Sequence, residues 1–416
     1  MNAESQKIFD EKMALVNDAI ALRPTSRVPV VPCFNSVMQR LCGSSYRDIY
    51  YDFDRAGEAA VEFYKKYPVD ANTFAGFRSG RATEISETTL IDWPGRPGTS
   101  LSDYSSHQVL EREYMTDEEY PEVIHDYTGY ILTKLLPRAY PGLKGLSGIR
   151  FNTPTLLSLS PILDTLTSPE ACEAYDKLKE IGRLNAEAKA KAAEYQKKIE
   201  DLGIPQFYNF GGQAPFDLIS DYLRGTMGVF EDQLEREDEI MELCEVFIAR
   251  EIKTFEMVFK GKSMPVKRVF FPLHKAMDGF MSPKQFETLY WGPLMKLVHA
   301  LVDLGVTPFL YAEGPYNTRL DQMCDLPKGK CIVHMEKADM KRVKETVGKV
   351  ACISGNLPVA LMEFGKKEEV VKYARNLLET CAPGGGYIFD FDAGLENAKE
   401  ENMDALMETL EVYGKY

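Results

Sequence analysis

Followed for the alternation of apolar and polar positions, the second half of the chain keeps a regular beat. Short apolar runs bounded by Pro and Gly read as strands: Lys267–Leu273 (KRVFFPL), Thr307–Glu313 (TPFLYAE), Gly329–Met335 (GKCIVHM), Val350–Ser354 (VACIS) and Gly386–Asp390 (GYIFD). Segments near 282–304, 316–325, 338–346, 366–380 and 397–413 carry apolar residues at helical spacing. Strands and helices in alternation predict parallel strands joined by helical crossovers. The first half adds Val28–Phe34, Asp70–Phe74 and Pro205–Phe210, behind an amphipathic helical pattern at the start of the chain. Five strands and three make eight, so the expected fold class is α/β, a single (β/α)8 TIM-type barrel with an N-terminal helix.

Residues 79–180 break the beat. They are rich in Ser, Thr, Pro and Tyr and are expected to form an insertion or cap within one barrel domain spanning 1–416. The charged, strongly helix-forming run 182–201 reads as an exposed helix.

Charge narrows the partners. Acidic residues outnumber basic ones 63 to 49, for a formal net charge of −14, which disfavours nucleic acid and anionic membranes. No apolar run approaches a bilayer span, and the opening residues lack a signal-peptide core, so a cytoplasmic protein is expected. The eight cysteines are dispersed without a C-x-x-C pair and read as reduced, mostly core thiols. The pattern is compatible with a homo-oligomer.

In such a barrel, chemistry collects at the C-terminal ends of the strands. Those ends carry His274 and Asp278, Tyr311 and Glu313, His334 and Glu336, Asn356, and Asp390 and Asp392. Side chains two apart on a strand share a face, so Tyr311 and Glu313 point together, as do Asp390 and Asp392. Carboxylates and imidazoles gathered at a barrel mouth are what a divalent metal requires. Each also has a plain structural reading. Glu313 before Gly314 suits a solvated loop, His334 a hydrogen-bonded core histidine, and Asp390 and Asp392 loop caps. His107, His125 and His299 fall in the insert or on helices. The chain lacks a G-x-S-x-G elbow, a Walker sequence and H-E-x-x-H.

Four stretches carry a resemblance: RVPVVPCFN (Arg27–Asn35), Tyr311–Glu336, VACISGNLP (Val350–Pro358) and GGGYIFDFDAGLENAKEEN (Gly384–Asn402). They resemble the uroporphyrinogen decarboxylase superfamily, and within it the longer, corrinoid-dependent methyltransferases that act as O-demethylase components. The resemblance implies a bound zinc ion (Zn2+) and methyl transfer involving the cobalt of a separate corrinoid protein. The decarboxylases' glycine loop with Arg and Gln is not reproduced in CFNSVMQRLCG, although Gln39 and Arg40 are present. Where thiol-methylating relatives have His-x-Cys and a later Cys, this chain has Tyr311-Ala-Glu313 and Asp392-Ala393.

Relatives that demethylate phenyl methyl ethers use a Glu followed about twenty residues later by a His, and Glu313 and His334 fit that spacing. Their further upstream ligand falls near Val298, beside His299, so Asp390 or Asp392 is the expected substitute. The resemblance thus assigns Glu313 and His334 as catalytic metal ligands, with Asp390 and Asp392 taken as metal ligands in place of the upstream one. The substrate-binding candidates are Tyr311, Tyr316, Arg319, His274, Asp278 and Asn356. A thiolate-free zinc would favour an oxygen ligand, hence a methoxylated, aromatic donor. The competing readings are a metal-independent decarboxylase of a tetrapyrrole-like acid, a methylcobamide:thiol methyltransferase, and a non-catalytic barrel that binds a corrinoid partner.

Overall fold

The computed structural model describes residues 1–151 and 158–415, so the part of the expected cap at 152–157 lies outside the described residues. Its strands are β1 (Ile91–Asp92), β2 (Gln108–Val109), β3 (Phe210–Gly211), β4 (Arg268–Leu273), β5 (Thr307–Pro315), β6 (Ile332–Lys337), β7 (Cys352–Ser354) and β8 (Tyr387–Ile388). β1 and β2 form an antiparallel pair, while β3 to β8 form one parallel sheet in sequence order.

Two extended segments close that sheet on itself. Val31 N–H donates to Phe389 O (3.0 Å) and Phe389 N–H to Pro29 O (2.8 Å), joining 28–34 to β8. Asp70 N–H donates to Val30 O (2.8 Å), and Asn72 N–H donates to Pro205 O (2.8 Å), which leads into β3. The six strands and segments 28–34 and 69–74 make a closed circuit of eight, at the positions the sequence marks. Arg27 clamps the seam, its two terminal nitrogens on Asp70 at 2.5 and 2.6 Å.

The barrel fills because strand side chains alternate. On β5, Phe309 and Tyr311 point inward to join Val31, Ala71, Phe207, Ile332, Cys352 and Ile388, while Leu310 and Ala312 pack outward under the helices. The helix Ala3–Ile20 adds Val16, Ala19 and Ile20 to the inner cluster and so plugs one end. Arg268 fixes it there, donating to Phe207 O (2.8 Å) and Asn17 Oδ1 (2.6 Å).

Three elements differ from the sequence reading. The helix expected at 316–325 is only the short turn Gln322–Asp325, because the preceding residues bind the loop after β4. Thr318 Oγ1 donates to Asp278 (2.6 Å), and the Arg319 guanidinium donates to Ala276 O (3.2 Å) and Met281 O (2.6 Å). The helix near 282–304 contains a wide turn at Phe286–Trp291, ahead of Pro293, which has no N–H to offer. The run 182–201 belongs to the helix Pro169–Glu200, whose Ala188, Tyr195 and Ile199 are buried. Gly57 makes this possible, since a Cβ there would lie 2.4 Å from the Tyr195 ring.

The 79–180 region supplies short helices and the β1–β2 pair above the strand ends. It is tied to the barrel through Arg224, which donates to Asp232 Oδ2 (2.6 Å) and Met115 O (2.6 Å), while Tyr120 donates to Asp232 Oδ2 (2.8 Å). Among the described residues, no helix is long and apolar enough to cross a membrane.

Candidate active site

The inward face of β5 changes character along its length: Phe309 and Tyr311 are apolar filling, and Glu313 arrives at the mouth. β6 repeats the pattern, with His334 in register with Tyr311 and Glu336 two residues further on. The Tyr311 and His334 rings lie parallel, 3.9 Å between centroids. His334 is completely buried; its Nε2 donates to Asp392 O (3.1 Å), and its Nδ1 faces Asp390 Oδ2 at 3.3 Å. Asp390 is itself held by Cys33 N–H (2.6 Å) and Phe391 N–H (2.7 Å).

On the other side of Glu313 stands His274, just past β4. Its Nε2 is 3.6 Å from Glu313 Oε2, and its Nδ1 donates to Asp221 Oδ2 at 2.5 Å. Asp217 fixes the backbone here, accepting His274 N–H (2.9 Å), Lys275 N–H (3.1 Å) and Tyr290 O–H (2.6 Å). Burial alone would lower the His274 pKa. The Asp221 hydrogen bond and the charges of Asp217, Asp221 and Glu313 outweigh it and raise the pKa to about 9, so the ring is an imidazolium at neutral pH. Burial first, and Glu336 second among the raising influences, push Glu313 above the usual carboxylate range against the pull of His274 and His334. Burial and the neighbouring Asp221 likewise raise Asp217. The sequence reading missed Asp217 and Asp221. Their spacing of four, just after the Gly211-Gly212-Gln213 tract, was the available signal.

A cavity of about 310 Å3 opens between these groups. Phe207, Tyr208, Phe270, Phe309 and Tyr311 form its aromatic wall, and Glu313, Glu336 and Asp390 its acidic one. Cys33, Thr73, Ala393 and Gly394 complete it, so among the described residues no Lys, Arg or His lines it. A second cavity of about 750 Å3 lies against the cap, lined by Arg78, His107, Glu111, Tyr222, Asp221, His274 and Lys275. The His274–Glu313 pair is where the two meet. A groove of about 750 Å3 between helices Lys367–Cys381 and Glu400–Tyr413 has none of these groups.

A family model described as "Uroporphyrinogen decarboxylase (URO-D)" matches residues 164–413, more than half of the chain. The chain belongs to the uroporphyrinogen decarboxylase family. A methyltransferase from Methanosarcina mazei shares this family member's fold, at 14% identity and a TM-score of 0.59, over 96% of this chain and 98% of that one. No curated protein sequence matches it.

Within this member of the family, the other expected site residues sit elsewhere. Tyr316 is buried and donates to Leu273 O (2.8 Å), and the Arg319 guanidinium is spent on two carbonyls over the Phe286 ring. Asp278 binds Thr318, and Asn356 donates to Glu336 O and Ala338 O (both 3.2 Å). None of the four lines the aromatic cavity; of the six expected binding residues, Tyr311 lines it and His274 stands at its rim.

Nor do Glu313, His334, Asp390 and Asp392 form a coordination set as placed. Nε2 of His334 donates to a carbonyl, and its buried Nδ1, without a hydrogen-bond partner among the described residues, faces the Asp390 carboxylate at 3.3 Å and not Glu313. The Asp392 carboxylate caps a helix by accepting Val359 N–H (2.9 Å). Glu313 pairs with His274 instead. Among the described residues, no three His, Cys, Asp or Glu side chains group to hold a metal ion, so the expected zinc finds no group of three donors among them.

Proposed function

We propose that this chain is a methyltransferase that moves a methyl group from a small molecule held in the 310 Å3 cavity to the corrinoid of a separate protein. The observation that carries the reading is the cavity wall: five aromatic rings, three carboxylates and, among the described residues, no basic side chain. A tetrapyrrole bearing several carboxylates would meet like charge there, with nothing to pair its own. The decarboxylation for which the family is named therefore finds, among the described residues, no basic group in this cavity, and methyl transfer is the family chemistry that its wall can serve. The likeness to the Methanosarcina mazei methyltransferase supports this choice.

The cavity lies at the strand ends, where a bulky acceptor approaches from outside while the donor's body stays among the rings. That arrangement holds the methyl carbon between leaving group and acceptor, which is the geometry a displacement needs. Tyr311 and Glu313 would contact the donor. His274 steadies Glu313 at the rim and, as an imidazolium, is an acid placed to protonate a departing oxygen. A methoxylated arene, the donor implied by the resemblance, would call on that proton, whereas a methylated amine would not.

The test is anaerobic: reduced corrinoid protein is mixed with the purified chain and a panel of methoxyarenes and methylated amines. Its absorption should change to the methylated form only when both chain and donor are present. Release of carbon dioxide from a tetrapyrrole acid, or methylation of a thiol without corrinoid protein, would sink the reading.

A further inference from the structure

We infer that the aromatic cavity takes a quaternary ammonium cation as its methyl donor, an inference that rests on the methyltransferase reading of the same site. The rings form a curved wall: centroids lie 5.0 Å apart for Tyr208–Phe270, 5.2 Å for Phe207–Phe309 and 5.4 Å for Phe270–Tyr311, mixing stacked, edge-on and tilted contacts. Aromatic faces carry a negative quadrupole and attract a cation within about 6 Å, most strongly when it is desolvated. A neutral arene would be satisfied by such a wall without any carboxylate.

Here the carboxylates are present, and one is uncommitted. Among the described residues Glu313 accepts no hydrogen bond, and the nearest cation is His274 at 3.6 Å. Glu336 keeps Gly314 N–H on one oxygen at 2.5 Å and Lys337 near the other at 3.2 Å. Asp390 turns one oxygen to backbone amides and the other toward His334. Three carboxylates line the wall against the His274 imidazolium at the rim and Lys337 beside Glu336, so a positive ligand there meets an excess of negative charge. A quaternary ammonium uses both halves of the wall at once.

The same choice accounts for the unassembled zinc site. Departure of a phenoxide needs an electrophile at oxygen, whereas a quaternary ammonium carries its own activation. The reduced corrinoid supplies the electron pair that forms the bond to the methyl carbon and is itself oxidised by two electrons. The C–N pair goes to nitrogen, whose positive charge is cancelled, and a tertiary amine leaves. No proton or metal ion enters the balance.

Calorimetric titration of the full chain separates charge from shape. Choline chloride and tetramethylammonium chloride should bind. 3,3-Dimethylbutan-1-ol, with carbon in place of the charged nitrogen, should bind at least about tenfold more weakly. Glycine betaine, which adds a carboxylate, should also be weaker than choline. Glu313→Gln and Tyr208→Leu, both at partly exposed positions, should each weaken choline by about tenfold while leaving the unfolding midpoint unchanged. Equal binding of the carbon isostere, or binding of anisole with no binding of either ammonium salt, overturns the inference. Methyl transfer from methoxyarenes without ammonium binding fells the inference and spares the methyltransferase reading. Ammonium binding with no transfer to any corrinoid acceptor fells that reading and supports the ligand class.

Discussion

His274 and Glu313 face each other where the barrel cavity meets the cap cavity, the imidazole Nε2 3.6 Å from the carboxylate Oε2. They lie at the ends of adjacent parallel strands, β4 and β5, which sets their spacing through backbone hydrogen bonds rather than through loops. Asp221 holds the far side of the ring, so the histidine bridges two carboxylates. A cation fixed in this way orients Glu313 and tunes the charge of the cavity wall.

The pH response of His274 follows with a definite sign. Its folded pKa, about 9, stands above the ordinary value of 6.5. The stabilisation it brings is therefore complete below about pH 6.5 and fades as the pH climbs through about 9. NMR titration of the ring should find it protonated at neutral pH. Asp221→Asn, which removes the largest raising influence, should bring its midpoint down toward neutrality. An unchanged midpoint would contradict the pairing.

Metal analysis should find no stoichiometric zinc in protein grown with zinc present, and a chelator should leave the unfolding midpoint where it was. The reason is the pairing of Glu313 with His274 and the helix-capping role of Asp392, which leave no group of three donors among the described residues. One tightly held zinc per chain, lost in Glu313→Ala, would reverse this conclusion.

Attachment of the cap depends on Arg224, whose guanidinium is 4% exposed and paired with an equally buried Asp232. Asp232→Ala removes the buried one of the two carboxylates on Arg224, leaving only the more exposed Glu113, and leaves the Tyr120 hydroxyl unbound. Urea unfolding should show a loss of about 3–5 kcal/mol. A loss below about 1 kcal/mol, the range of exposed ion pairs, would mean that the pair is solvated.

Thiol reactivity gives an independent view of the cavity. Cys172 is exposed, whereas burial, followed by the charges of Asp390 and Glu313, pushes the Cys33 thiol well above its usual pKa. Iodoacetamide at mildly alkaline pH should label Cys172 first and Cys33 slowly, as read by peptide mass mapping. Comparable rates at the two sites would show that the Cys33 wall is open.

The five strands β4 to β8 were legible in the sequence, because strand burial writes itself as short apolar runs between turn residues and helices as a longer period. The expected segments at 28–34 and 70–74 join the sheet through isolated bridges. Alternation also placed Glu313 and Tyr311 on one inward face, and both line the cavity. Local pattern determined those features, since they depend on which way successive side chains point along one strand. Partner choice across strands was decided by the tertiary structure. The family resemblance paired Glu313 with His334, but register stacked His334 on Tyr311 with its nitrogens toward Asp392 and Asp390, and Glu313 faces His274. Arg319 shows the same division: its charge suggested a substrate contact, and its burial on carbonyls of a loop some forty residues earlier came only with the fold. Register, ring stacking and the satisfaction of buried polar atoms arise only when distant segments meet, so a linear pattern can mark where a site lies before it can say which side chains share it.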